Sequence, residues 1–423
     1  MENKLKILVA HPGRQHSFRV AKALKESGML FKYATTVYNK ESSILIKIVN
    51  LFISEDNKNR AKKRKCPSLE DNDVILFNEF LGFLLLLLLR VDKTKKIYSW
   101  LSHKIRDSFG KKVAKYAIKN NIDAIISYDT NSLVCFEYLK KNAPHIKRIM
   151  DHAHPPRNYL YKVYQEKLDS AGDFKETYEA SGYILNKQIA DSFAKEIKLA
   201  HLHIAASSFS KKALYFNNVP EENILFCPYG VDVNKNIDFK KQLTNFKKLK
   251  VLFVGEINQR KGIAQILGSA KLLKNKDVEF NLIGMGKEYK SYLYTDYEDT
   301  VNFMGRVSYE VLIEQFTSNH IFIFPSMGEG FGLVLLEAMA AGLPIIASKN
   351  CAGPDLIKNG FNGFLIEAGN TEQLIEHIIW FTNNQDRLKE MSENARETVD
   401  NYSWEKYEKN LVENLSNKLN KEL

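Results

Sequence analysis

From His320 to Pro344 the chain reads as a strand, a glycine-rich loop, a helix and a stop, and this unit narrows the folds open to the whole sequence. His320 to Phe324 is a short run of β-branched and aromatic residues, the mark of a buried strand. Glycines punctuate Ser326 to Gly332. Leu333 to Ala341 is apolar on every helical face except at Glu337, which predicts a buried helix rather than an amphipathic one. Gly342 suits the position just past a helix end, and Pro344 forbids continuation.

The same alternation of strand and helix signals runs along the chain twice, as expected of doubly wound parallel sheets in an α/β protein. The first run has strand candidates at Lys6 to Ala10, Phe31 to Val37, Asp123 to Tyr128, Ile146 to Met150, Leu202 to Ala206 and Ile224 to Cys227. The second has them at Lys250 to Val254, Glu279 to Ile283, Val301 to Met304, His320 to Phe324, Pro344 to Ala347 and Gly363 to Ile366. A polar, Lys- and Asn-rich stretch from Asn234 to Lys250 is the linker candidate, so the expected domains are 1–233 and 251–400, with 401–423 as a final helix capped by Ser403. At 423 residues, 44% hydrophobic, the chain is long enough to bury two cores.

Two carboxylates stand out in the first-mentioned segment. Glu337 on a buried helix needs a donor, because a stranded buried charge costs on the order of 3–5 kcal/mol. A structural ion pair is the ordinary answer. Here Gly328, Gly330 and Gly332 leave main-chain N–H groups bare at the mouth of the same helix, where orphan donors and the dipole make an anion site. A phosphate at Gly330, Phe331, Gly332 and Leu333, with a hydroxyl-rich group beside Glu337, describes a nucleoside diphosphate. Glu329, eight residues before Glu337, faces whatever the distal phosphate carries.

The segment FPSMGEGFGLVLLEAMAAGLPIIAS resembles the E-x7-E signature of retaining nucleotide-sugar glycosyltransferases of the family 4 type, with Glu329 and Glu337 at the two signature positions. The resemblance covers most of Val251 to Phe381 and Asn223 to Asp232, and weakly the N-terminal half. It implies the GT-B fold, two Rossmann-like domains facing across a cleft, and a final helix that returns to the first domain. It also implies that Arg260 and Lys261, in the loop VGEINQRKGI, clamp the donor diphosphate. The family's usual first arginine is Glu256 here, and Arg260 compensates with a planar fork suited to phosphate. An isolated Arg-Lys pair on a loop is otherwise a solvated basic turn.

Other strand-end loops fit a nucleoside. Gly284 and Gly286 form a G-x-G that is either a phosphate turn or a plain tight turn. The resemblance sets the base against the main chain near Val307, after Gly305. Gly13, in HPGRQHSF, either lets the main chain approach a ligand or shapes a strand-to-helix turn. By the same resemblance a histidine at the end of RIMDHAHPPR lies beside the transferred sugar, a role open to both His152 and His154. The D-x-D at Asp71 and Asp73 lies in a basic stretch with no flanking strand, so it reads as solvated. No metal and no organic cofactor are expected beyond the donor.

The net charge of +11 is concentrated: Lys40 to Asn120 holds 18 basic residues against 9 acidic ones. KNRAKKRK at 58–65 precedes the apolar run Phe80 to Leu89, which is about half the ~20 residues needed to span a bilayer. This run is either a core helix or an interfacial element that, with Lys58 to Lys65, meets an anionic membrane surface. Nucleic acid is excluded by the lack of interleaved aromatics or a binding motif. Four scattered cysteines indicate neither disulfides nor zinc, and MENKLKILVAHPG has too short an apolar run for a signal peptide. The chain is expected to be a cytoplasmic enzyme, peripheral on the inner membrane face. The expected reaction moves a sugar, with retention, from a UDP- or GDP-linked donor to a glycan or lipid-linked acceptor in cell-surface polysaccharide or glycolipid synthesis. A GT-B nucleotide-sugar epimerase and a non-catalytic donor-binding subunit are the alternatives.

Overall fold

The computed structural model describes residues 5–13, 16–46, 61–62, 64–92, 96–180, 186–232, 243, 246–286, 292 and 294–419. Most of the expected linker and half of the basic run at 58–65 therefore lie outside the described residues. Among those described, two parallel sheets account for all the strands. The first comprises β1 (Ile7–Ala10), β2 (Leu30–Thr35), β3 (Val74–Leu76), β4 (Ala124–Tyr128), β5 (Lys147–His152), β6 (Leu202–Ala205) and β7 (Ile224–Phe226) in the order β3-β2-β1-β4-β5-β6-β7. The second comprises β8 (Leu249–Val254), β9 (Val278–Ile283), β10 (Val301–Gly305), β11 (Ile321–Phe324), β12 (Ile345–Ser348) and β13 (Gly363–Ile366) in the order β10-β9-β8-β11-β12-β13. In each sheet the order reverses beside the first strand, between β1 and β4 and between β8 and β11. These are the topological switch points at which α/β sheets open a crevice beyond the strand ends.

The central strands are buried along their length, which is why they read as continuous apolar runs rather than as alternations. The chain leaves the first domain at Val231 and comes back beside it at Ser403, the two segments joined by a parallel bridge and by Val231 N–H donating to the Tyr402 carbonyl at 2.9 Å. From there the helix Trp404–Leu419 packs on the helix Ser17–Glu26 of the first domain. Leu411, Leu415 and Leu419 are fully buried there, and Lys22 holds Glu408 at 2.6 Å.

Three sequence expectations change. Val74–Leu76 is an edge strand that was not among the candidates, because three residues between a polar turn and Phe77 give too little pattern to read. Asp71 and Asp73 consequently do flank a strand. Asp71 accepts from the Ser42 N–H at 2.9 Å and Asp73 pairs with Lys25 at 2.5 Å, so both are structural rather than solvated. The leucine run forms the helix Glu79–Val91, yet Gly82 is its one buried residue among the side chains described. It is not a core helix.

Removing one of the C-terminal anchors tests how far the returning helix stabilises the first domain. Leu411→Ala should lower unfolding free energy by about 2–5 kcal/mol, the range for a fully buried leucine, as read by denaturant melts. A loss below about 1 kcal/mol would mean that this helix docks only loosely.

Candidate active site

The two loops at the switch point of the second sheet carry the charged groups of the site. After β8, Asn258 caps the short turn Gln259–Lys261 by accepting from the Lys261 N–H through its side chain. After β11, the segment Pro325–Gly332 runs alongside, tied to the first loop where Met327 N–H and Ser326 Oγ donate to the Arg260 carbonyl at 2.8 and 3.1 Å. This locking brings three side chains onto one point. Arg260 Nη1 lies 2.5 Å from Glu329 Oε2, and Lys261 Nζ donates to the same oxygen. Arg260 also has Glu256 at 3.5 Å, and the Lys261 ammonium sits over the Phe324 ring at 4.7 Å.

Arg260 and Lys261 are thus buried, not the solvated basic turn that an isolated pair suggests. Burial alone would push the Glu329 carboxyl up, but Lys261 and Arg260 overcome it and hold the group far below the ordinary carboxylate range. Burial lowers the Lys261 ammonium from its ordinary value, and the pull of Glu329 restores only part of that. The three groups form a compact ion triad, with Glu256 a second, longer carboxylate partner of Arg260.

Glu337 corrects the sequence reading in the other direction. It lies on the helix Leu333–Ala340, one turn past Leu333, and both are exposed while Leu335, Leu336, Ala338 and Met339 are buried. The helix therefore has one open stripe, and the carboxylate needs no protein donor. It has no hydrogen-bond partner among the described residues, and the protein crowded around it pushes its carboxyl above the ordinary value. Gly332, with φ of +88°, sets up the first turn of this helix, whose leading N–H groups have no partner within the helix.

The first domain closes against this loop. A Cβ on Gly330 would lie 2.3 Å from the Ala153 carbonyl oxygen, so glycine is required where the domains meet. Ser207 and Ser210 hydroxyls donate to the Gly330 carbonyl, the latter at 3.0 Å, and Tyr164 donates to that of Gly328 at 3.4 Å. His154 stands at this contact, with Nδ1 3.2 Å from Asp129 Oδ2, while Asp129 Oδ1 accepts from the Ala153 N–H. Burial disfavours the His154 cation, but the charges of Asp129 and Glu329 outweigh it and raise the imidazole. His152 is elsewhere: it is buried, stacked on His203 with Nε2 3.0 Å from that ring's Nδ1, and lowered by burial. Of the two histidines, His154 is the one at the domain contact.

The remaining candidates divide. Phe331 is buried beside Gly330, with its ring 5.3 Å from that of Tyr229. Val307 is half-buried against the core of the second domain. The Gly13 N–H donates to His11 Nδ1 at 2.9 Å, within its own loop. Gly284 and Gly286 lie where a Cβ would strike the carbonyl oxygens of Gly255 and Ile257, so the G-x-G allows two strand-end loops to cross. Asp129 and Ser207 were not singled out in the sequence. Their one available signal was position, each standing just past a strand.

The match to known proteins follows the same division of the chain. Residues 234–398 match the family model described as glycosyl transferases group 1. An uncharacterized glycosyltransferase of Methanocaldococcus jannaschii is 32% identical over 197 residues, 45% of this chain and 54% of its own length. The capsular polysaccharide biosynthesis glycosyltransferase CapM of Staphylococcus aureus is 27% identical over 217 residues, 47% of this chain and 56% of its own. The chain spans about half the length of these curated relatives. The structure of Anabaena HepE in complex with UDP-glucose superposes with a TM-score of 0.61 at 17% identity, covering 98% of this chain and 100% of that one. The fold is GT-B. In GT-B terms, the triad lies on the second domain and His154 on the first, with the domain contact between them.

The raised His154 gives a pH test. A histidine raised in the folded state contributes stability in full below its unfolded value of ~6.5, and loses it as pH rises through the folded value. The stability gap between the protein and His154→Gln should therefore be widest below pH ~6.5 and narrow as pH rises. A gap that widened with pH would contradict the His154–Asp129 pairing.

Proposed function

We propose that this GT-B protein is a glycosyltransferase that takes a sugar from a UDP- or GDP-linked donor and attaches it, with retention, to a hydroxyl of a glycan or lipid-linked acceptor. One observation supports this most: two buried cations converge on a carboxylate at the switch point of the second sheet, beside an open helix N-terminus. A nucleoside diphosphate carries the charge that Glu329 presents to Arg260 and Lys261, so the donor would take over the two cations and free the glutamate. Glu329 would then accept hydrogen bonds from sugar hydroxyls, and the first-turn N–H groups at Gly332 and Leu333 would meet the phosphates.

In the reaction, the acceptor oxygen would bond to the anomeric carbon on the face from which the phosphate departs. Its proton would pass to the departing phosphate oxygen. Negative charge builds on the diphosphate as the glycosidic bond breaks, and Arg260 with Lys261 are already oriented to stabilise it. This reading requires neither a protein nucleophile nor a metal. Glu337, exposed and unpartnered, is suited to accept from the ribose hydroxyls, and the main chain near Val307 to meet the base. His154 is suited to stand beside the sugar.

Lys261→Met keeps a stem over the Phe324 ring and removes the charge. It should lower turnover by ~10²–10³, the scale for losing one oriented donor to a developing anion. Unchanged turnover at saturating donor and acceptor would refute the clamp. Glu337→Gln should weaken binding of the bare nucleoside diphosphate by roughly 1.5–3 kcal/mol, whereas Glu329→Gln, which removes the carboxylate competing for Arg260 and Lys261, should slow transfer yet strengthen that affinity. Calorimetric titration separates the two, and equal losses would mean that the glutamates do not divide the work.

A further inference from the structure

The apolar helix Glu79–Val91 and the helix Lys96–Lys119 pack together, and Asp92 accepts from the Tyr98 N–H at 2.8 Å where the second begins. Their inner faces hold to the first domain: Gly82 lies against Thr36 and Val37, and Leu101, Ile105 and Phe109 are buried. Among the described residues, their outer faces are left exposed. Phe80, Leu87 and Val91 form a stripe along the first helix, 65%, 55% and 61% exposed, and Trp100 near the start of the second is 62% exposed.

The second helix continues this surface with charge. It carries seven basic residues and one acid, Asp107, which pairs with Arg106 at 3.5 Å. At ~100° per residue, Ile97, Trp100, Lys104, Lys111 and Lys115 project within one narrow sector, and all five are exposed. On the second helix one face therefore runs from Ile97 and Trp100 into a row of ammonium groups, and the apolar stripe of the first helix lies on its packing neighbour. On the first helix the stripe of Phe80, Leu84, Leu87 and Val91 is apolar throughout. No helix among the described residues is long and apolar enough to cross a membrane.

We propose that this face docks on an anionic lipid surface, with Phe80, Leu87, Val91 and Trp100 in the headgroup–acyl boundary and Lys104, Lys111 and Lys115 on lipid phosphates. The basic row differs from the one the sequence suggested at 58–65. Of that run, Lys65 pairs with Glu41 at 2.5 Å, while most of the rest lies outside the described residues. The docking face is separate from the Arg260–Lys261–Glu329 triad, so a failed donor assignment would leave it standing.

Co-sedimentation of the full chain with vesicles tests the proposal. Equimolar phosphatidylglycerol and phosphatidylcholine should bind it at low salt at least tenfold more strongly than phosphatidylcholine alone, and raised salt should release it. One cation beside an anionic leaflet is worth about five-fold, so the triple variant Lys104→Gln, Lys111→Gln, Lys115→Gln should bind ~100-fold more weakly. Leu87→Ser with Trp100→Ser should cost at least tenfold with an unchanged thermal melt, since both side chains are exposed. Failure of the protein to bind anionic vesicles at low salt would overturn the proposal, as would full binding by the lysine variant. So would a lipid-free dimer, seen by sedimentation equilibrium, that the Leu87/Trp100 variant abolishes, because a second copy would then cover the face.

Discussion

The β8 and β11 loops of the second domain are arranged around one half-buried carboxylate, Glu329, facing two cations. A carboxylate so enclosed is tolerable only when paired, and breaking such a pair costs on the order of 3–5 kcal/mol. The pairing in turn requires that the β8 and β11 loops be locked, which the Arg260 carbonyl does by accepting from both Ser326 and Met327. It requires too that the first domain close over Gly328 and Gly330, through Tyr164, Ser207 and Ser210. The switch point of the sheet supplies the place, and the ion triad supplies the reason for these loop residues to be where they are.

That arrangement also couples the two domains. His154 reaches the triad electrostatically from the first domain, and its own partner, Asp129, sits at the end of β4 on that side of the cleft. Phe331, next to the loop carrying Glu329, meets Tyr229 close to where the chain leaves the first domain and the final helix returns. A ligand that replaced Glu329 on the cations would alter the charge seen by His154 and the loop pressed against Ala153. On the proposed reading, donor occupancy and domain contact would be linked through few residues.

The parallel architecture was legible because buried strands announce themselves as β-branched and aromatic runs, and twelve of the strands lie where those runs stand. The three-residue β3 was not, since an edge strand that short leaves no pattern. Charge burial was the harder quantity. Arg260 and Lys261 look solvated in sequence because burial depends on the β11 loop, some sixty residues away, folding over them. Glu337 looks buried because its neighbours are apolar, yet an eight-residue helix beside a crevice can keep one stripe open. The leucine run left core and interface open: composition says apolar, and only the tertiary arrangement says which side is exposed.

In the proposed function, the Glu329 carboxylate stands where a donor phosphate belongs. A crystal structure with a bound nucleoside diphosphate tests it most directly. Phosphate oxygens are expected within about 2.7–3.1 Å of Arg260 and Lys261, with Glu329 turned away from both toward the sugar position. A diphosphate bound elsewhere, with the Arg260–Lys261–Glu329 triad unbroken, would contradict it.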